Sequence, residues 1–144
     1  LPARQVGRLE VALPMEKLFT SDAERKGAFV HYELRDARTK ALITELTDYA
    51  ARTKELRLPR TKAGDFTLKM TRRAGTLFID IQSKTLLKDA YIDLGETGWQ
   101  LSDNFLDILP GRRYRLRATR RQNAPARTTT ALPTVTLRSI TTAE

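Results

Sequence analysis

The chain has 144 residues, 40% of them hydrophobic and 30% charged, with no cysteine and a formal charge of +9. That length suits one domain, or one domain with part of another. The missing cysteines exclude a disulfide framework and thiol chemistry and leave the compartment unknown, while the lack of about 18 consecutive apolar residues excludes a membrane-spanning helix.

Taken in order, the chain reads as all-β. It opens Leu1-Pro2-Ala3-Arg4 without Met, as if excised from something longer, so an export signal of a parent could not be seen. A periplasmic or extracellular parent is compatible with that, and so is a cytoplasmic one. Residues 8–13 alternate, with Leu9, Val11 and Leu13 on one face and Pro14 ending the run. Ser21 and Glu24 have capping-box spacing, which predicts one helical turn. Residues 29–35 predict a strand with Val30, Tyr32 and Leu34 on one face. Residues 36–40 read as its hairpin loop and 42–47 as its return. Leu56 and Leu58 predict a short strand, and Pro59 to Gly64 is the best linker in the chain.

Beyond the linker, Phe66, Leu68 and Met70 alternate with polar residues, and Arg72-Arg73-Ala74-Gly75 predicts a turn. Leu77, Ile79 and Ile81 point inward from the next strand, and Ala90, Ile92 and Leu94 from the one after it. Trp99 and Leu101 lead into Ser102-Asp103-Asn104-Phe105-Leu106-Asp107-Ile108-Leu109-Pro110-Gly111. Pro110 sets φ for the first central position of a turn and Gly111 supplies the positive φ that a type II turn needs next. A strand follows, with Tyr114, Leu116 and Ala118 on one face and Arg113, Arg115 and Arg117 on the other. Residues 134–140 predict the last strand. Short strands at about ten-residue spacing, broken by turn signals, are the pattern of a two-sheet sandwich.

The run from Ser102 to Gly111 resembles the S-D-N-(Y/F)-x-D-(L/I)-L-P-G signature near the C-terminus of β-mannosidases of glycoside hydrolase family 2. Only Leu106 stands where an aromatic is expected. Residues 77–84 and 88–94 are similar to the strand pair that precedes that signature, and Lys54-Glu55-Leu56-Arg57-Leu58-Pro59 to the connector before it. The resemblance implies an immunoglobulin-like antiparallel β-sandwich at 63–144. It implies that residues 1–62 are the end strands of a preceding sandwich, packed on the next. A single irregular sandwich using the whole chain is the alternative, and the residues do not decide between them. The implied role is a non-catalytic accessory region of a retaining hydrolase. Its partners would be the catalytic barrel and neighbouring sandwiches of the same parent, and it would pack on that barrel and rim its substrate entrance.

Retaining glycosidases place two carboxylates about 5–5.5 Å apart. In the family the acid/base glutamate follows an asparagine, whereas here Asn104 precedes Phe105 and Asn123 precedes Ala124. No catalytic residue is therefore expected in this chain, nor any cofactor. His31, the one histidine, reads as a solvated strand residue, and with no second histidine or cysteine no metal site is expected. Asp103 and Asp107 lack EF-hand spacing.

Carbohydrate contact is the one binding role with named candidates: Trp99, beside Gly98, with Asp103 and Asn104. The competing reading makes Trp99 a core plug or a contact to the barrel, and has Asp103 and Asn104 bonding local backbone. An independent carbohydrate-binding module is the runner-up function. The arginine row at 113, 115 and 117 allows a polyanion-binding reading. Tyr114 faces away from that row, so no base-stacking surface accompanies it, and specific nucleic-acid binding is not expected.

Overall fold

In the computed structural model, which describes residues 12–121 and 131–142, the chain divides into two compact units, Leu1–Arg57 and Leu58–Glu144. The strand expected over residues 8–13 lies outside the described residues except for Ala12 and Leu13, which carry no regular structure.

The first unit begins with two short helices, α1 (Met15–Leu18) and α2 (Asp22–Gly27). The start of α2 follows from its cap. Ser21 Oγ accepts the Glu24 amide at 3.2 Å, and the Glu24 carboxylate accepts the Ser21 amide at 3.2 Å, which satisfies two otherwise orphaned donors. Strands β1 (Phe29–Arg35) and β2 (Leu42–Tyr49) form an antiparallel hairpin with Tyr32 opposite Leu46 and Leu34 opposite Thr44. Its loop is closed by Asp36, whose carboxylate accepts the amides of Arg38 and Thr39. These bonds hold the carboxyl below the usual range, Thr39 contributing most.

The short strand expected at Leu56 and Leu58 does not form. A single 3-10 turn spans Thr53–Glu55 instead; Leu56 after it is extended, and residues 57–60 carry no regular structure. Alternation over two residues before a proline has no ladder to join. Arg57 donates its amide to the carbonyl of Lys26, in the last turn of α2, rather than to a strand.

Among its described residues the second unit is a sandwich of seven strands: β3 (Phe66–Arg73), β4 (Thr76–Ser83), β5 (Leu87–Asp93), β6 (Trp99–Leu101), β7 (Leu106–Ile108), β8 (Arg113–Arg120) and β9 (Thr136–Arg138). One sheet has the order β3-β4-β8-β6 and the other β7-β5-β9, with antiparallel pairing throughout. The β3–β4 reversal falls one residue later than the sequence suggests. Ala74 and Gly75 both take positive φ, +45° and +77°, the two-residue hairpin whose twist matches its strands.

The core lies between the two sheets. Leu77, Ile79 and Ile81 of β4, Leu116 and Ala118 of β8, Leu87, Ala90 and Ile92 of β5, and Ile108 of β7 pack together there. Ile79, Leu87 and Ile108 are fully buried, and burying such a side chain contributes about 1.5–3 kcal/mol. In β5 the expected inward set holds, yet Leu87 is buried as well. The register shifts between Leu87 and Ala90, where Asp89 turns to φ +50°, so odd and even positions both face the core.

The last strand is shorter than expected, covering three residues. Past Arg138 the hydroxyls compete for the backbone: Ser139 Oγ donates to the Lys88 carbonyl at 2.7 Å and Thr141 Oγ1 to the Leu86 carbonyl at 2.8 Å. The same segment ties the ends of the unit together, since the buried Thr61 donates its amide to the Thr141 carbonyl at 2.7 Å.

Candidate functional site

The geometry of the Ser102–Gly111 run starts from its two ends. At the far end, Arg112 donates its amide to the Leu109 carbonyl at 3.4 Å, and Gly111 has φ +74°, as a type II turn over Pro110-Gly111 requires. Gly111 also donates its amide to the Ser83 carbonyl at 2.7 Å, and the Tyr114 hydroxyl accepts the Leu109 amide at 3.2 Å. At the near end, Ser102 exchanges bonds with β8. Its amide reaches the Arg117 carbonyl at 2.7 Å and its Oγ accepts the Arg117 amide at 3.0 Å.

Between these anchors Asn104 acts as a clamp. Its Oδ1 accepts the Ile92 amide at 2.8 Å and its Nδ2 donates to the Ile92 carbonyl at 3.0 Å, so one side chain stands in for a strand neighbour of β5. Asp103 accepts the Asn104 amide at 2.8 Å, the local backbone bond expected of it. Asn104 also makes a local bond, accepting the Phe105 amide at 3.1 Å, and in addition reaches a residue twelve positions away. Asp107 Oδ1 accepts the Asp89 amide at 2.9 Å and so supports the β5 bulge.

The clamp leaves Phe105 at φ +59°, a left-handed conformation unfavourable for a residue with a bulky side chain. The residue is 67% exposed. The Tyr91 ring lies beside it, centroids 5.0 Å apart and planes inclined by 33°. On the other flank of β5, Tyr91 pairs with Arg138 and Asp93 with Thr136, all four exposed. An aromatic pair therefore sits on the outer face of the β7-β5-β9 sheet among polar residues. An apolar residue in a signature invites a core assignment. Its outward position follows only once Leu106 is known to pair with Ala90 inside.

Trp99 is half-buried in edge strand β6, packed against the core cluster, with the Arg120 guanidinium 5.3 Å from its ring centroid. Its Nε1 is buried without a hydrogen-bond partner. The structure thus brings Asp103, Asn104 and the Phe105–Tyr91 pair together, while Trp99 packs into the sandwich.

The outer face of the other sheet carries the arginine row, exposed as expected. The middle member is occupied: Arg115 makes a bidentate pair with Asp80, at 2.6 and 2.9 Å, and lies 5.8 Å from the Phe78 ring centroid. The Arg115 hydrogen bonds hold the Asp80 carboxyl below its ordinary range. Phe78 gives this face an aromatic ring after all.

His31 is less solvated than its sequence context suggests, with its side chain 17% exposed. Nδ1 lies 3.1 Å from Thr47 Oγ1, and Nε2 lies 3.7 Å from Glu33 and 3.5 Å from Glu45. One atom from each of the three residues falls within 4.8 Å of the others, a group that metal ions can use. The cross-strand register that pairs Glu33 with Glu45 creates it, and a period-2 pattern does not contain that register.

No curated protein matches this chain. Among solved structures it is similar to a β-D-mannosidase from Dictyoglomus thermophilum, at 16% identity and a TM-score of 0.59, over 85% of this chain and 14% of that one. The chain therefore spans about a seventh of the length of that enzyme, and the likeness is one of fold. A family model described as the Ig-fold domain, Ig-mannosidase, matches residues 58–143. By that match, over more than half of its length, the chain belongs to the Ig-mannosidase family, as an Ig-fold domain.

Proposed function

We propose that this chain is a non-catalytic accessory region of a β-mannosidase-like retaining glycoside hydrolase, packing on the catalytic barrel of its parent and rimming the substrate entrance. The family match over residues 58–143 carries the reading. In the same proposal, residues 1–62 are the closing strands of a preceding sandwich. An isolated two-stranded hairpin is at best marginally stable in water. Leu34 and Leu46 of the β1–β2 hairpin are 51% and 64% exposed, an apolar face suited to further strands of such a sandwich. Specific nucleic-acid recognition is not part of the proposal, because Asp80 takes up the Arg115 guanidinium. The test is turnover of an aryl β-mannoside by the purified chain. The expected result is none above buffer. Hydrolysis that copurifies with the chain and vanishes on replacing one of its acidic residues would overturn the reading.

A further inference from the structure

We propose that the Tyr91–Phe105 ring pair is a carbohydrate-stacking site, taking one pyranose of a neutral oligosaccharide on the open face of Phe105. Three observations converge on it. Phe105 holds an unfavourable left-handed backbone, and such strain persists where surrounding structure enforces it, often at ligand clamps. The enforcing structure is visible: Asn104 Oδ1 accepts both the Ile92 amide, at 2.8 Å, and the Phe105 amide, at 3.1 Å. The residue it presents is 67% exposed and its ring is steadied by Tyr91 at 5.0 Å, so the platform is formed before any ligand arrives.

The surroundings select the ligand class. Register puts Arg138 opposite Tyr91 and Thr136 opposite Asp93, with the four side chains on the solvent face. A flat apolar surface flanked by a guanidinium, a carboxylate and hydroxyls matches the apolar C–H face and the hydroxyl rim of a sugar. A protein partner would need about 800 Å² of complementary surface on this side, with an apolar centre. Two rings among Asp93, Arg138 and Thr136 offer a far smaller island. Asp93 shares this face with Arg138 and offsets its charge, which favours a neutral sugar over an anionic one. Asp103 and Asn104 belong to the site as positioning residues, and Trp99, packed on the core, is not needed by it.

The test is titration of the full ¹⁵N-labelled chain with mannohexaose, cellohexaose and xylohexaose, read by amide chemical shifts. At least one sugar should give saturable shifts centred on Tyr91, Asp93, Phe105 and Arg138, with Kd on the order of millimolar. Phe105→Asn should weaken binding about tenfold, as expected for one lost aromatic contact. Its melting temperature should be equal or higher, since asparagine tolerates the left-handed region better. Trp99→Phe should leave binding unchanged. The proposal is overturned if none of the three sugars gives saturable shifts, if the shifts centre on Trp99, or if Phe105→Asn binds like the parent. A clear fall in melting temperature for Phe105→Asn would likewise make the ring a structural element and sink it.

Discussion

Replacing Asn104 with alanine removes both hydrogen bonds to Ile92, whose side chain lies in the core at 1% exposure. Each bond contributes roughly 1 kcal/mol net, and leaving the Ile92 amide and carbonyl short of partners adds part of a desolvation cost of about 1–3 kcal/mol per group. Asn104 is half-buried, so water recovers some of that, and the expected loss is about 2–4 kcal/mol. For a domain of this size that is a fall in Tm of very roughly 10–25 °C. Trp99 is the only tryptophan and lies in the second unit, so its fluorescence during urea unfolding reports on that unit alone. The midpoint should drop with little change in slope. Asn104→Asp keeps the acceptor for the Ile92 amide but turns a carboxylate towards the Ile92 carbonyl. It should be destabilised at neutral pH and recover part of the loss as acid protonates the new carboxyl and restores a donor. An Asn104→Ala midpoint within about 0.5 kcal/mol of the parent would refute the clamp.

Gly111→Val should cost about 1–2 kcal/mol from the positive φ alone, since beyond its chain neighbours no atom lies within 4 Å of where its Cβ would stand, and Gly111→Asn should cost less; urea melts of the pair check the ordering. Trp99→Ala should lose about 2–3 kcal/mol, below the usual range for a fully buried ring, while Trp99→Phe should be near neutral because it also removes the unpartnered Nε1; circular-dichroism melts decide. Asp80, whose folded pKa is depressed by Arg115, contributes stability that is present above its unfolded pKa and lost as pH falls through the folded value. Arg115→Ala should therefore flatten the stability profile in the acid range below about pH 4, measured by melting temperature against pH. The exposed pair is screened, so the difference should shrink at high salt.

What could be read in advance was whatever rests on neighbours in sequence. The Ser21–Glu24 box, the β1–β2 hairpin, the Pro110-Gly111 turn and the two faces of β8 are each encoded within a few residues, and each is present. What escaped depends on residues far apart. Asn104 reaches Ile92 across twelve positions, the β5 bulge needs Asp107 to support Asp89, and the His31 group exists only through the β1–β2 register. Phe105 receives no assignment from its sequence context; its left-handed backbone and exposure follow from Asn104 being held on Ile92. The short last strand has a similar origin, because Ser139 and Thr141 bond the β5 backbone with side chains where a ladder was expected.

The proposed accessory role is tested most directly by mixing the 144-residue chain with the catalytic barrel that the proposal places in the same reading frame, and following aryl β-mannosidase activity and barrel melting together. The account predicts a chain that is inert alone, associates with the barrel and raises its melting temperature by mass action. A reading frame without a barrel carrying two suitably spaced glutamates would contradict it, as would a barrel that melts identically with and without the chain.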